Sequence, residues 1–403
     1  DTFGGRHLRP LESTATATRL THSPRILRTS TQIFPRYIRS GEIILQNPRQ
    51  RQCGATVSEA SASTTPARLP ALGLTAQELV NHDLKSLDAS AAEGAGEVVK
   101  AIEGACVKIA RALARVNIDK LTGDEGGINI QGERQKKLDV YANDLLKEAL
   151  FDTGLVASIA TEEEDDVVMA PIPPTAPVTF SVAFDPLDGS SNIDCSVPTG
   201  TIFSIYKLQE TNFAEKVFYS PVKDILVSGY AMYSSATSLV LTAGQGTHML
   251  SLDPDRGSFL LTNPSLKVPE RGPYYSLNEG RFFDWPEGLK KYINDMKQGK
   301  GAWGKQYSSR YVCSLVADVH RTLLYGGWAG NPRPHLRLLF EAAPLSFIVQ
   351  QAGGEGSDGE KRIMSYHPTA LHQRLPVFIG SSLDIEELES YGDVQQGAAR
   401  YEA

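Results

Sequence analysis

Asp185 and Asp188 stand three residues apart in the run Asp185-Pro186-Leu187-Asp188-Gly189-Ser190-Ser191, directly after the apolar stretch Phe180 to Phe184. Proline stiffens the turn between the two acids, so both carboxylates can converge on one point, and Gly-Ser-Ser offers main-chain N–H donors to an anion. One end suits a cation, the other a phosphate. Taken alone, the run is first of all an ordinary strand leading into an aspartate turn.

Further acids stand at the ends of other elements. Glu162 and Glu163 open the run Glu162 to Asp166 that follows the apolar stretch Leu155 to Ala160, Asp139 and Glu133 fall near the start of a helix, and Glu341 begins another. Gathered at one place, such carboxylates repel by about 4 kcal/mol per pair at about 4 Å, so the group needs bound cations or raised pKa values. Oxygen ligands without Cys or His favour Mg2+, with Mn2+ as a substitute. By itself the run Glu162 to Asp166 is a solvated acidic loop.

The elements that must position these groups follow from periodicity. Val98, Ile102, Cys106, Ile109, Leu113 and Val116 recur at helical spacing, and a second helix spans about Arg134 to Leu150. Short strands are expected at Leu155 to Ala160, Phe180 to Phe184 and Thr201 to Tyr206, then an antiparallel meander from Leu226 to Thr262. Helices around Ser314 to Leu324 and Glu341 to Gln351 each close on a Gly-Gly pair. The fold class is α/β, in layers, with one unit over 71–263 carrying the acids and a second over 264–403.

Composition narrows the function classes. The 403 residues carry a net charge of −7, yet residues 1–70 hold ten Arg, no Lys and four acids, leaving −13 on the remainder. A body of that sign argues against nucleic acid as a partner. No membrane span is expected: the most apolar stretch, Val167 to Phe184, contains four prolines. The basic, Ser/Thr-rich segment 1–70 has the composition of an organelle transit peptide, the alternative being a disordered basic tail. Cys53, Cys106, Cys195 and Cys313 lack metal or disulfide spacing and are expected as small buried residues.

The chain resembles the fructose-1,6-bisphosphatase family, and its sedoheptulose-1,7-bisphosphatase sister, over about residues 95 to 392. The resemblance is carried by GERQKKLDVYANDLL (132–146), TEEED (161–165), FSVAFDPLDGSSNID (180–194), SLNEG (276–280), SSRYVCSLVADVHRTLLYGG (308–327), LRLLFEAAPLSFIVQQAGG (336–354) and HQRLP (372–376). It implies a five-layer αβαβα sugar-phosphatase fold and a homo-oligomer, tetramer or dimer. It places Glu162, Glu163, Asp185, Asp188, Glu341 and the carbonyl of Leu187 at metal-ligand positions. Asp139 and Glu163 fall on the pair that activates water, with Glu133 nearby. Gly189, Ser190 and Ser191, together with Asp188, fall on the cradle of the 1-phosphate. Asn278, Tyr311 and Arg310 fall on sugar-bisphosphate contacts, Arg310 reaching in from a neighbouring subunit.

Magnesium-dependent hydrolysis of the 1-phosphate of fructose 1,6-bisphosphate is the activity so implied, and in-line attack on a phosphoryl group does need cations on the attacking and leaving oxygens. The distal pocket departs from the family, with Arg281, Asn331 and His335 at altered positions and the loop from Trp328 to His335 shortened; Arg281 offers a fork for phosphate, or is a solvated surface arginine. Sedoheptulose 1,7-bisphosphate therefore stays open as substrate, as does a noncatalytic sugar-phosphate binder. A plastid is the expected location, with mitochondrial or cytoplasmic placement as alternatives.

Overall fold

Among the described residues the strand-forming runs pair into two large mixed sheets and a small antiparallel pair, and helices fill the space between and outside the large sheets. The computed structural model describes residues 70–119, 124–128, 134–208 and 214–397. Cys53, Glu133 and the basic segment up to residue 69 lie outside the described residues. In chain order come α1 (Ala76–Leu87), α2 (Ala89–Ala114), β1 (Asp124–Ile128), β2 (Arg134–Lys136), α3 (Lys137–Phe151), β3 (Val156–Thr161), β4 (Val168–Met169), β5 (Phe180–Asp188) and β6 (Thr199–Lys207). Next are β7 (Val227–Tyr233), β8 (Ser238–Thr242), β9 (Thr247–Asp253), β10 (Ser258–Leu266), β11 (Tyr274–Ser276), α4 (Glu287–Gln298) and β12 (Ser308–Ser309). Then follow α5 (Leu315–Tyr325), β13 (Trp328–Arg337), α6 (Ala343–Gln351), β14 (Glu355–Ser357), β15 (Arg374–Gly380) and α7 (Ser382–Ser390).

Among the described residues the first large sheet runs β10-β9-β8-β7-β6-β5-β3-β4 and the second β12-β11-β13-β15-β14. Side chains alternate across a strand, so each sheet has two apolar faces to cover. Val182 and Phe184 pack with Leu79, Val98 and Leu146 from α1, α2 and α3. Ala183 and Ile202 face the other way, onto Val316 and Val319 of α5 and Leu345 and Ile348 of α6, which also meet Val377 and Ile379 of the second sheet. The far face of that sheet, with Trp328 and Phe378, is covered by Tyr292 of α4 and Ile385 of α7. Helices, sheet, helices, sheet, helices: the αβαβα order expected above.

Strand β5 is buried along its whole length, as a strand covered on both faces must be. Sequence reading gives the strand as Phe180 to Phe184, stopped by Asp185 and Pro186. The structure carries it to Asp188 through a bulge: Asp185 pairs with Ile202 and Asp188 with Gly200, one residue in excess on β5. Residues three apart on a regular strand point to opposite faces, and one extra residue returns the second acid to the side of the first. Pro186 and Leu187 in the bulge thereby let both aspartates reach one cleft.

Two expectations need correction. Trp328 to His335 is not a loop but most of β13, since Trp328 to Asn331 pair residue by residue with Gly380 to Val377 of β15. The Gly-Gly before it is needed for that entry: Gly327 has φ of +89°, and a Cβ there would come 1.8 Å from the Tyr274 carbonyl oxygen. Of the cysteines, Cys106 is buried as expected, but Cys195 and Cys313 are exposed, the first ending the short turn after Gly189 and the second in the segment before α5. No helix among the described residues is long and apolar enough to cross a membrane.

Candidate active site

The ends of β3 and β5, the first turn of α3, the N-terminus of α5 and the turn between β13 and α6 meet around one cleft of about 740 Å³. Asp139, Glu162, Glu163, Asp185, Leu187, Asp188 and Glu341 all line it, together with Gly189, Ser190 and Ser191 and with Asn278 and Tyr311. Acids separated by some two hundred residues of chain are thus brought together. One oxygen each from Asp185, Asp188 and Glu341 lies within 4.8 Å of the others, and all three residues are buried.

Each acid is fixed by its own element. Asp185 accepts the Leu187 main-chain N–H at 2.9 Å, closing the bulge on itself. Asp188 accepts the Val316 N–H at 2.9 Å and the Ser314 hydroxyl at 3.3 Å. Those donors are the opening of α5, where unpaired N–H groups and the helix dipole favour an anion. Glu341, in a wide helical turn over Leu338–Ala342, accepts the Arg337 N–H at 2.7 Å. Arg337 then turns back: its guanidinium lies 2.7 Å from Glu162 and 3.7 Å from Glu341.

Electrostatics marks the cluster as strained without a cation. Burial, then the charges of Glu162 and Asp188, lift the Asp185 carboxyl well above its ordinary range. Asp188 is pushed up to about 7, by burial first and by Glu341 second, against the α5 donors that pull it down. Glu341 is likewise raised to about 7 by burial and Glu162, with Arg337 opposing. Buried carboxylate oxygens at this spacing, held by main-chain donors on their outer sides, fit a hard divalent cation. The charge of such an ion would offset the repulsion that Arg337 only partly relieves.

The anion end is built from Gly189, which has φ of +74° and whose Cβ would meet Ser314 at 3.2 Å. A residue other than glycine would strain the turn and press on the cap of α5. Ser190–Cys195 forms the short helical turn that follows, tied to the α5 side by the Asn192 amide donating to the Cys313 carbonyl at 2.9 Å. Asn278 accepts the Gly280 N–H at 3.1 Å, and the Tyr311 hydroxyl donates to the Cys313 thiol at 3.2 Å.

Two sequence-derived residues stand apart. Arg281 lines a smaller pocket beside the cleft, with Asn278, Tyr311 and Asn331, and lies 3.7 Å from Asp284. Arg310 lines neither cavity; it is exposed, packs over the Tyr274 ring at 5.4 Å, and donates to the Ser309 carbonyl. Asn331 and His335 do line the cleft. Sequence reasoning passed over Arg337, Arg333 and Asp318, which also line it. Arg337 and Asp318 lie in segments that carry the family resemblance, yet nothing in periodicity distinguishes a buried arginine that faces carboxylates from one on a strand edge.

The arrangement is one that can hold divalent cations against a phosphate ester at the floor of a layered α/β fold. Comparison with known proteins agrees. Residues 76–264 match the model of the fructose-1,6-bisphosphatase N-terminal domain and residues 268–393 that of the C-terminal domain. The chain therefore belongs to the fructose-1,6-bisphosphatase family. It is 43% identical over 368 residues to a protein named fructose-1,6-bisphosphatase, chloroplastic, from Brassica napus, covering 84% of this chain and 87% of that protein. It is 45% identical over 318 residues to its counterpart from Pisum sativum, covering 73% and 77%. The crystal structure of Leishmania major fructose-1,6-bisphosphatase in holo form superposes with a TM-score of 0.73 at 34% identity, over 80% of this chain and 99% of that one.

Proposed function

We propose that the chain hydrolyses the 1-phosphate of fructose 1,6-bisphosphate, giving fructose 6-phosphate and phosphate, with Mg2+ as its cation and Mn2+ as a substitute. The observation that carries this is the buried meeting of Asp185, Asp188 and Glu341 beside the Gly189 turn. Glu162, Glu163, Asp185, Asp188, Glu341 and the Leu187 carbonyl would hold the cations. When bound, divalent cations neutralise charge on the phosphoryl group and on the attacking and leaving oxygens.

The chain's own groups do the rest. Asp139 and Glu163 orient the attacking water and take its proton, with Glu133 completing the acidic set. Main-chain N–H groups of Gly189, Ser190 and Ser191 hold the reacting phosphate in line. Asn278, Tyr311 and Arg281 hold the sugar and its far phosphate, and Arg310, which turns outward in the lone chain, serves the neighbouring copy of a dimer or tetramer. On this reading the unit over 71–263 supplies every cation ligand but Glu341, and the unit over 264–403 supplies Glu341 and the sugar contacts. The named plant relatives and the basic segment 1–70 support a chloroplast location, with that segment as transit peptide.

Phosphate release in Mg2+ with fructose 1,6-bisphosphate and sedoheptulose 1,7-bisphosphate side by side tests the reading. A kcat/KM at least about tenfold higher for the fructose ester is expected. A reversed order assigns the sedoheptulose ester, and no release from either makes the chain a sugar-phosphate binder.

A further inference from the structure

The far end of the cleft carries a cation that the family resemblance leaves unassigned. Along β13, Asn331 pairs with Val377 and Leu336 with Leu375 of β15, so β13 carries three residues in excess between those pairs. The bulging segment is Asn331-Pro332-Arg333-Pro334-His335. Its two prolines fix their own φ near about −65° and confine the residues before them, Asn331 and Arg333, to extended backbone. The Asn331 side chain accepts the Arg333 N–H at 3.1 Å, and the Gln396 N–H donates to the Pro332 carbonyl at 2.7 Å. Arg333 is thereby presented on a stiffened segment, tied down by β13 on one side and the C-terminal stretch on the other.

Its position spans two cavities. Arg333 lines both the acid-floored cleft and the smaller pocket that Arg281 lines. That smaller pocket holds two arginines and no carboxylate among the described residues. A cleft with carboxylates at one end and guanidinium groups at the other suits a ligand that gives its first phosphate to cations and its second to arginines.

We propose that Arg333 is the specificity-determining residue that receives the second phosphate of the substrate and so selects sugar bisphosphates over sugar monophosphates. The inference rests on the function proposed above. It adds a residue brought in by the β13 bulge, with Arg281 as its partner in the smaller pocket. Asn331 acts as a positioning residue, through its hold on the Arg333 main chain.

The test compares kcat/KM for fructose 1,6-bisphosphate with that for fructose 1-phosphate, which lacks the second phosphate. In R333Q the ratio of the two is expected to fall by about 10- to 100-fold, the range for a lost charge-assisted contact, with the change in KM for the bisphosphate. R333K, which keeps a charge but loses the fork, should lie between, and it carries the comparison should R333Q not fold. R256Q, a change at an exposed arginine bound to Asp253, should keep the wild-type ratio. A wild-type ratio in both Arg333 variants, or an equal loss on both substrates, overturns the assignment. A wild-type protein inactive on fructose 1,6-bisphosphate instead overturns the function on which it rests.

Discussion

Replacing Asp188 by Asn lowers kcat for fructose 1,6-bisphosphate by about a thousandfold or more while the fold stays intact. The side chain keeps its shape, and its amide oxygen can still accept the Val316 N–H that now reaches Asp188 at 2.9 Å. What disappears is one negative charge among the cation ligands. Stability gives an independent reading. In the folded, chelated protein burial and Glu341 raise the Asp188 carboxyl from its ordinary 3.8 to about 7. The folded state then holds that proton more tightly than the unfolded chain. The stability so gained is complete below about pH 4 and is lost as pH climbs through about 7. Asn has no such proton to lose. In chelator, Asp188→Asn is therefore expected to melt at or above the wild-type temperature at pH 8, with less difference at pH 5. A variant that turns over normally would remove Asp188 from the cation set; one that melts far below wild type at both pH values would make its role structural.

Withdrawal of divalent cations is the second large effect. Chelation is expected to cut phosphate release by about a thousandfold or more, and Mg2+ to restore it. The concentration needed for half restoration should fall as pH rises from 6 to 8. Asp188 and Glu341, both raised to about 7 as one interacting pair, must give up protons before their oxygens can serve as ligands. Titration of activity against Mg2+ at three pH values reads this directly. Full activity in chelator, or a half-saturating concentration that rises with pH, would count against the carboxylate site.

Much of the layered order was legible in the chain, and the reason is periodicity. The stripe from Val98 to Val116 repeats at helical spacing, and the short β-rich runs from Leu226 to Thr262 are set off by turn residues, local signals that hold whatever the tertiary context. The strand β3 and the helices α3, α5 and α6 lie within a few residues of their expected places. Sequence reading is silent on helices α1, α4 and α7, and it gives Trp328 to His335 as a shortened loop, a segment that Gly330, Pro332 and Pro334 punctuate. Pairing with β15 overrides that punctuation, an outcome decided by a strand distant in the sequence.

The acids of the site were legible because charge is expensive to gather, so carboxylates at several element ends invite one explanation. The convergence of Asp185 and Asp188 was expected from a stiff turn, but the means by which the chain achieves it was not legible. Asp185 and Asp188 would face opposite sides of a regular strand, and only the bulge at Pro186-Leu187 brings them to one side. The burial of Arg337 against Glu162 and Glu341, and the presence of Arg333 in both cavities, likewise depend on distant partners that no local pattern encodes.

Crystals grown with Mn2+ and inorganic phosphate offer the most direct measurement, through anomalous scattering at the manganese edge. The account predicts a peak bounded by carboxylate oxygens of Asp185, Asp188 and Glu341, with phosphate between it and the Gly189 to Ser191 turn. Phosphate seated at that turn with no anomalous density beside these three carboxylates would contradict it.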